Sequence, residues 1–194
     1  ESIKQYCEDN NIDFETFLKE YLSITEQKED IKDATAKAIQ SAVSVWCEFP
    51  TKDYYTKDTS VACGAGVIYQ MNSSFAYIIT NYHVVYYADG ITSNHIASKI
   101  HIFQYGTSEY AYETGEYNSK GYPEIAYGDG AIEAEYVGGA LNYDIAILKV
   151  STAELLKYNE HAKAISVAQE YNLAETAIAI GNPLLKERFE KMNE

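Results

Sequence analysis

The chain has 194 residues, with 15 basic against 29 acidic side chains, a net charge of −14 and a pI near 4.6. Such a surface repels phosphates and anionic headgroups, which argues against nucleic acid or a membrane surface as partner. Hydrophobic residues at 46% and charged residues at 23% are ordinary globular composition and argue against disorder; no run approaches the ~18 apolar residues of a membrane-spanning helix.

Residues 1–41 read as a helical segment. Asp13 is a candidate N-cap, and Phe14, Phe17, Leu18, Tyr21 and Leu22 follow the i, i+3, i+4 spacing of one apolar face. A second run, Glu29 to Ala42, sets Ile31, Ala34, Ala38, Ile39 and Ala42 on one side. Two short amphipathic helices are expected, carrying no chemistry. The chain starts at Glu1 rather than Met, so an upstream segment, with any signal or anchor in it, is expected to have been removed.

From residue 42 the apolar period changes from 3.6 to 2. Ala42 to Phe49 reads as a strand stopped by Pro50, and Val61 to Met71 as a strand whose Gly64 and Gly66 mark a bulge or a close backbone approach. Further strands are expected at Phe75–Thr80, Lys99–Tyr105, Ala131–Val137, Tyr143–Val150, Ile165–Ala168 and Thr176–Ile180, with a charged, helix-permissive tail from Leu184. Residues 106–130 are rich in Tyr, Gly, Ser and Glu and show little apolar periodicity. Nineteen tyrosines against six phenylalanines and one tryptophan suit strands and half-buried surfaces. Short strands separated by turn signals, without βα alternation, predict a mainly β chain: an antiparallel barrel or sandwich after two helices.

The candidate chemistry is sparse. Cys7, Cys47 and Cys63 form neither a disulfide framework nor a zinc site; Cys47 pairs with Cys63 only if their strands are neighbours, and three free thiols are the alternative. His95 and His101 lie six apart and suit a shared strand face, but no third metal ligand accompanies them, so they read as surface histidines. His161 reads as solvated. Gly128-Asp129-Gly130 offers one carboxylate and reads as a turn rather than a calcium loop. No metal or cofactor is expected. His83 stands where an apolar strand ends, and Asp144 inside another. A carboxylate there needs a partner, and an imidazole whose Nδ1–H it accepts makes a general-base pair.

Four segments occur in order: Gly64-Ala65-Gly66-Val67-Ile68, Ile78-Ile79-Thr80-Asn81-Tyr82-His83-Val84-Val85, Asp144-Ile145-Ala146-Ile147-Leu148-Lys149-Val150 and Ala179-Ile180-Gly181-Asn182-Pro183. This series resembles the trypsin-like serine peptidases, in particular the HtrA/DegP-type branch, over about residues 42–184. The resemblance implies a two-barrel fold of which this chain holds the first, an antiparallel six-stranded barrel. It divides the chain into helices at 1–41, a first lobe at 42–173 carrying both candidate residues, and the start of a second lobe with the tail at 174–194. It makes His83 the general base and Asp144 its orienting acid, with a protein or peptide as substrate, and favours the cell envelope or secretion.

Two departures accompany it. The family's Gly-x-Ser-Gly-Gly nucleophile turn is absent; Ser151 and Ser166, the serines after Asp144, lack its glycines. Cys63, upstream of His83, is a poor substitute nucleophile. The step from His83 to Asp144 is 61 residues, longer than the branch usually has, which places an insertion at 106–130: a surface hairpin, or a flap over substrate. The chain itself is therefore expected to be inactive, as the amino-terminal part of a peptidase. The competing reading is a non-catalytic binding or regulatory module; a third is an unrelated barrel whose His83 and Asp144 lie far apart. A first lobe without its second predicts an apolar inter-lobe face, open to self-association.

Overall fold

The computed structural model describes residues 3–53, 55–107, 111–169 and 177–181. It divides into two compact units, Glu1–Lys37 and Ala38–Glu194, so the boundary falls a few residues before the expected 41/42. Helix α1 spans Ile3–Asp9 and α2 spans Phe14–Ile39. Asp13 caps α2, its Oδ2 accepting from the Thr16 N–H at 2.8 Å and the Thr16 hydroxyl at 2.7 Å. The two helices expected at 13–22 and 29–42 are one helix of 26 residues: no Gly or Pro interrupts 14–39, and propagation is cheap once a helix is nucleated. Among the described residues no helix is long and apolar enough to cross a membrane.

The second unit is built on β1 (Ala42–Lys52), β2 (Lys57–Met71), β3 (Phe75–Thr80), β4 (Lys99–Gln104), β5 (Ala111–Tyr117), β6 (Pro123–Tyr127), β7 (Ile132–Glu133), β8 (Glu135–Ala140) and β9 (Ile145–Ser151). Two short helices, α3 (Tyr82–Val85) and α4 (Thr152–Tyr158), lie between and after them. Seven strands form one antiparallel sheet in the order β7-β4-β1-β2-β3-β9-β8, and β5 and β6 pair apart from it. β7 and β8 pair at opposite edges of this sheet, yet only Ala134 separates them in the chain. The sheet therefore curls into a half-barrel.

Val45, Ile68, Ile78, Ile102 and Leu148 fill the concave side, with Leu155 of α4 added to them. β1 is buried from Val43 to Phe49 on both faces, because a second apolar cluster covers its convex side: Trp46 and Phe103 of the sheet meet Ala111 and Ile125 of the β5–β6 hairpin. The weakly periodic 106–130 stretch is thus a surface hairpin whose few apolar residues serve one face. Pro50 does not end β1, which runs on to Lys52. β4 pairs with β1 no further than Glu48, so Pro50, without an N–H, breaks no ladder there.

Cys47 and Cys63 lie on neighbouring strands but do not pair. Cys47 stands opposite Ala62 and Cys63 opposite Trp46, an offset of one that sends the two side chains to opposite faces. All three cysteines are free thiols. Ile165–Ala168 forms no strand; it is tied by one bond, Ile165 N–H to the Ile68 carbonyl at 2.8 Å. Ala177–Gly181 is likewise not a strand. Thr176 and the expected tail from Leu184 lie outside the described residues.

Candidate active site

β3 and β9 set the distance between the two candidate residues. Their register pairs Thr80 with Ala146, so the chain leaving β3 after Thr80 passes the chain entering β9 before Ala146. Thr80 is buried, its hydroxyl donating to the Ala65 carbonyl at 2.8 Å. Asn81 then opens α3, and buried Val84 and Val85 anchor that turn. Gly64 makes room for it: a Cβ there lies 2.5 Å from Val84 Cγ2. With its apolar side fixed, the turn presents His83 outward.

Asp144 is not within a strand, as expected from sequence, but just before β9. It closes a 3-10 turn, Leu141–Tyr143, in the left-handed conformation with φ 52° and ψ 44°, its N–H donating to the Leu141 carbonyl. Asp tolerates this region better than most residues. Nor is its carboxylate deeply buried: the His83 and Asp144 side chains are 72% and 45% exposed. Hydrogen-bond donors, rather than loss of water, define it.

Those donors are three. The His83 backbone N–H reaches Asp144 Oδ1 at 2.9 Å, His83 Nδ1 reaches Oδ2 at 2.7 Å, and Asn81 Nδ2 reaches Oδ2 at 3.1 Å. Asn81 Nδ2 also lies 3.3 Å from the Asp144 carbonyl. The Asp144 carboxyl is held below its ordinary value of 3.8, first by the His83 N–H, with the imidazole and the Asn81 amide adding to it. A carboxylate only accepts, so the neutral imidazole carries its proton on Nδ1 and its lone pair on Nε2. His83 and Asp144 are therefore brought together, the carboxylate orienting the imidazole. Asn81 belongs to the same network, and sequence reasoning passed over it; its signal was an N-cap residue type two positions before His83.

A cleft of about 380 Å³ adjoins the imidazole, lined by Phe49, Thr59–Ala62, His83, Tyr86 and Tyr87. Ser151 caps α4, its hydroxyl accepting from the Glu154 N–H at 3.4 Å, and Ser166 is exposed on an irregular stretch. Cys63 packs with the cluster under the hairpin, on the face opposite to Gly64 and hence away from α3. Ser151, at the end of the β3–β9 ladder away from Thr80, and Cys63 are thus turned away from His83.

The other histidines are engaged elsewhere and do not share a strand face. His95 sits in the loop after α3, with φ 58°, its Nδ1 2.9 Å from the Gly90 carbonyl. His101 is on β4, its ring stacked on Tyr127 at 3.8 Å. It is not a surface histidine: burial, then the Lys99 charge, lower its pKa to about 4. Gly128-Asp129-Gly130 is a turn, with the Ala131 N–H donating to the Gly128 carbonyl at 3.0 Å. His161 is solvated, 3.8 Å from Glu160. No protein-family model and no curated protein matches the chain.

Proposed function

We propose that this chain carries the base-and-acid half of a trypsin-like, HtrA-type serine endopeptidase. The observation that carries the reading is the 2.7 Å contact between His83 Nδ1 and Asp144 Oδ2, doubled by the His83 N–H on the other oxygen. The curled half-barrel supports it: counting β7 and β8 as one strand kinked at Ala134 gives six antiparallel strands, the number in a first lobe. So does the convex face beside the pair, where Val67, Ile79 and Ile147 align across β2, β3 and β9. Ile145 and Ile147 are 44% and 37% exposed on it, the apolar face that a second lobe covers.

In the reaction, His83 Nε2 takes the proton of a serine hydroxyl as that oxygen attacks the peptide carbonyl. It then passes the proton to the leaving amine. Asp144 keeps Nδ1 protonated and stabilises the imidazolium between the two transfers. The serine and the oxyanion-stabilising amides come from a second lobe, since Gly-x-Ser-Gly occurs nowhere in these residues. The substrate is a protein or peptide.

The test is a fluorophosphonate probe on the product of the complete reading frame. We expect labelling, lost in His83→Ala, with a Gly-x-Ser-Gly-Gly encoded in frame after residue 194. The 194-residue chain alone stays unlabelled; labelling of it that depends on His83 overturns the assignment of the nucleophile to a second lobe. A stop codon directly after residue 194 favours the second reading, a non-catalytic binding module.

A further inference from the structure

Asn81 stands at the N-cap of α3, with φ −77° and ψ 146°, yet its side chain makes no cap hydrogen bond. An Asn in that place ordinarily accepts from the amide two or three positions on. Here the amide two positions on is the His83 N–H, and Asp144 Oδ1 has taken it at 2.9 Å. A carboxylate 61 residues further along the chain thus caps the turn that bears the imidazole. The Asn81 amide is released from capping and turned to the carboxylate. Its orientation is chemically fixed: both atoms it faces, Asp144 Oδ2 at 3.1 Å and the Asp144 carbonyl at 3.3 Å, only accept.

From this exchange of roles we infer that Asn81 is a positioning residue: it holds the Asp144 carboxylate and the left-handed Asp144 backbone so that Oδ2 meets His83 Nδ1. The inference rests on the proposed role of the pair, and its mechanics are separable from that role. Oδ2 carries two donors and Oδ1 one. Without the amide, the carboxylate is held by His83 alone, and Oδ2 keeps, among the described residues, no donor besides the ring it is meant to orient. Asn81 also joins the exit from β3 to the entry to β9, beside the two His83 bonds to the same carboxylate.

Capping and positioning make opposite predictions for a serine. Ser is as good an N-cap as Asn, but its hydroxyl is too short to reach Asp144 from there. The experiment is nuclear magnetic resonance on the 194-residue chain. Ring nitrogen-15 shifts of His83 report which nitrogen carries the proton, and the carboxyl carbon-13 signal of Asp144 reports its titration. We expect Asn81→Ala and Asn81→Ser to behave alike. In both, the Nδ1–H tautomer of His83 loses its dominance and the Asp144 midpoint rises toward the ordinary carboxylate value, while Asn81→Ser keeps the wild-type melting temperature.

Wild-type shifts and midpoint in Asn81→Ser overturn the inference, since the residue then serves only as a cap. Unfolding of Asn81→Ser overturns it as well, because the residue then serves the fold first; if only Asn81→Ala unfolds, the serine variant decides. Labelling of the complete gene product that is indifferent to His83→Ala sinks the peptidase reading and leaves this inference standing.

Discussion

Replacing Asp144 by Asn separates the charge of that side chain from its shape. The amide still fits, but it no longer obliges Nδ1 to keep its proton, and the wrong tautomer of His83 has no lone pair on Nε2. In the proposed peptidase we expect kcat to fall by about 10⁴-fold with KM little changed, the size such a change has in a serine triad; steady-state kinetics on a peptide substrate measure it. The pH dependence follows from the direction of the shift. Since the folded carboxyl lies below 3.8, its contribution is complete above that value and is lost only as pH falls through the lower, folded one. His101 behaves differently, because burial disfavours its charge. The unfolded chain takes up its proton near 6.5, the folded chain only near 4. Stability is therefore full above pH 6.5 and drains away as pH falls toward 4. Allowing for solvent screening, the loss is on the order of 1–2 kcal/mol. Thermal melts at pH 7.5 and 4.5 should show it, and His101→Phe, which keeps the stack on Tyr127, should fall by less than wild type over that interval.

Among the elements, those with an undisturbed period of two were legible. β3 was read from Phe75 to Thr80 and is found there, because the run Phe75 to Ile79 is wholly apolar and Asn72-Ser73-Ser74 marks the turn before it. Asp144 was misread as a strand residue because the apolar run begins right after it, and periodicity carries no sign of a left-handed backbone. Helix α4 was missed, although Ser151-Thr152-Ala153-Glu154 has the serine-then-glutamate spacing of a capping box. The hairpin was legible as a surface excursion but not as strands: among its described residues only Ala111 and Ile125 are buried in the cluster, too few to set a pattern. Close approach was the right reading of Gly66. A Cβ there lies 2.8 Å from Ile78 Cγ2 and 3.1 Å from Val43 and Val45, so Gly66→Ala should cost about 1–3 kcal/mol by overpacking, read by urea denaturation. The hairpin can be tested through the one tryptophan of the chain. Trp46 is 0% exposed beneath it, so replacing residues 107–131 by a short turn should shift its emission to the red; an unmoved spectrum means that the hairpin does not shield it.

On the scale of the whole molecule, a barrel or sandwich was legible from the short strands, but the origin of the sheet's curl was not. It depends on one chain segment serving both edges, with the change at Ala134, and an alanine among alternating residues gives no signal of a bend. The charge was legible from the start, and it bears on stability as well as on partners. Even if every base were paired with one acid, fourteen acids would remain, the net charge of −14. Some pairs are sheltered: Lys99 reaches the buried Glu48 at 3.3 Å, where salt screens weakly. Others, such as Lys149 with Glu135 at 2.5 Å, face water on at least one side and weaken as salt rises. Two effects of salt therefore oppose each other, loss of exposed attractions and relief of a general repulsion. The first is small, about 0–1 kcal/mol per exposed pair. The second acts on every unpaired acid within a Debye length of another, which shrinks from about 30 Å at 0.01 M to 8 Å at 0.15 M. Repulsion should dominate, since a large net charge destabilises the compact state. Raising sodium chloride across that range at pH 7.5 should lift the melting temperature by a few degrees, on the order of 1 kcal/mol for a chain of this size. The same gain should appear with potassium chloride, because screening depends on ionic strength and not on the cation. A melting temperature that falls with salt would mean that the ion pairs on the sheet, and not the excess of acids, govern the stability of the chain.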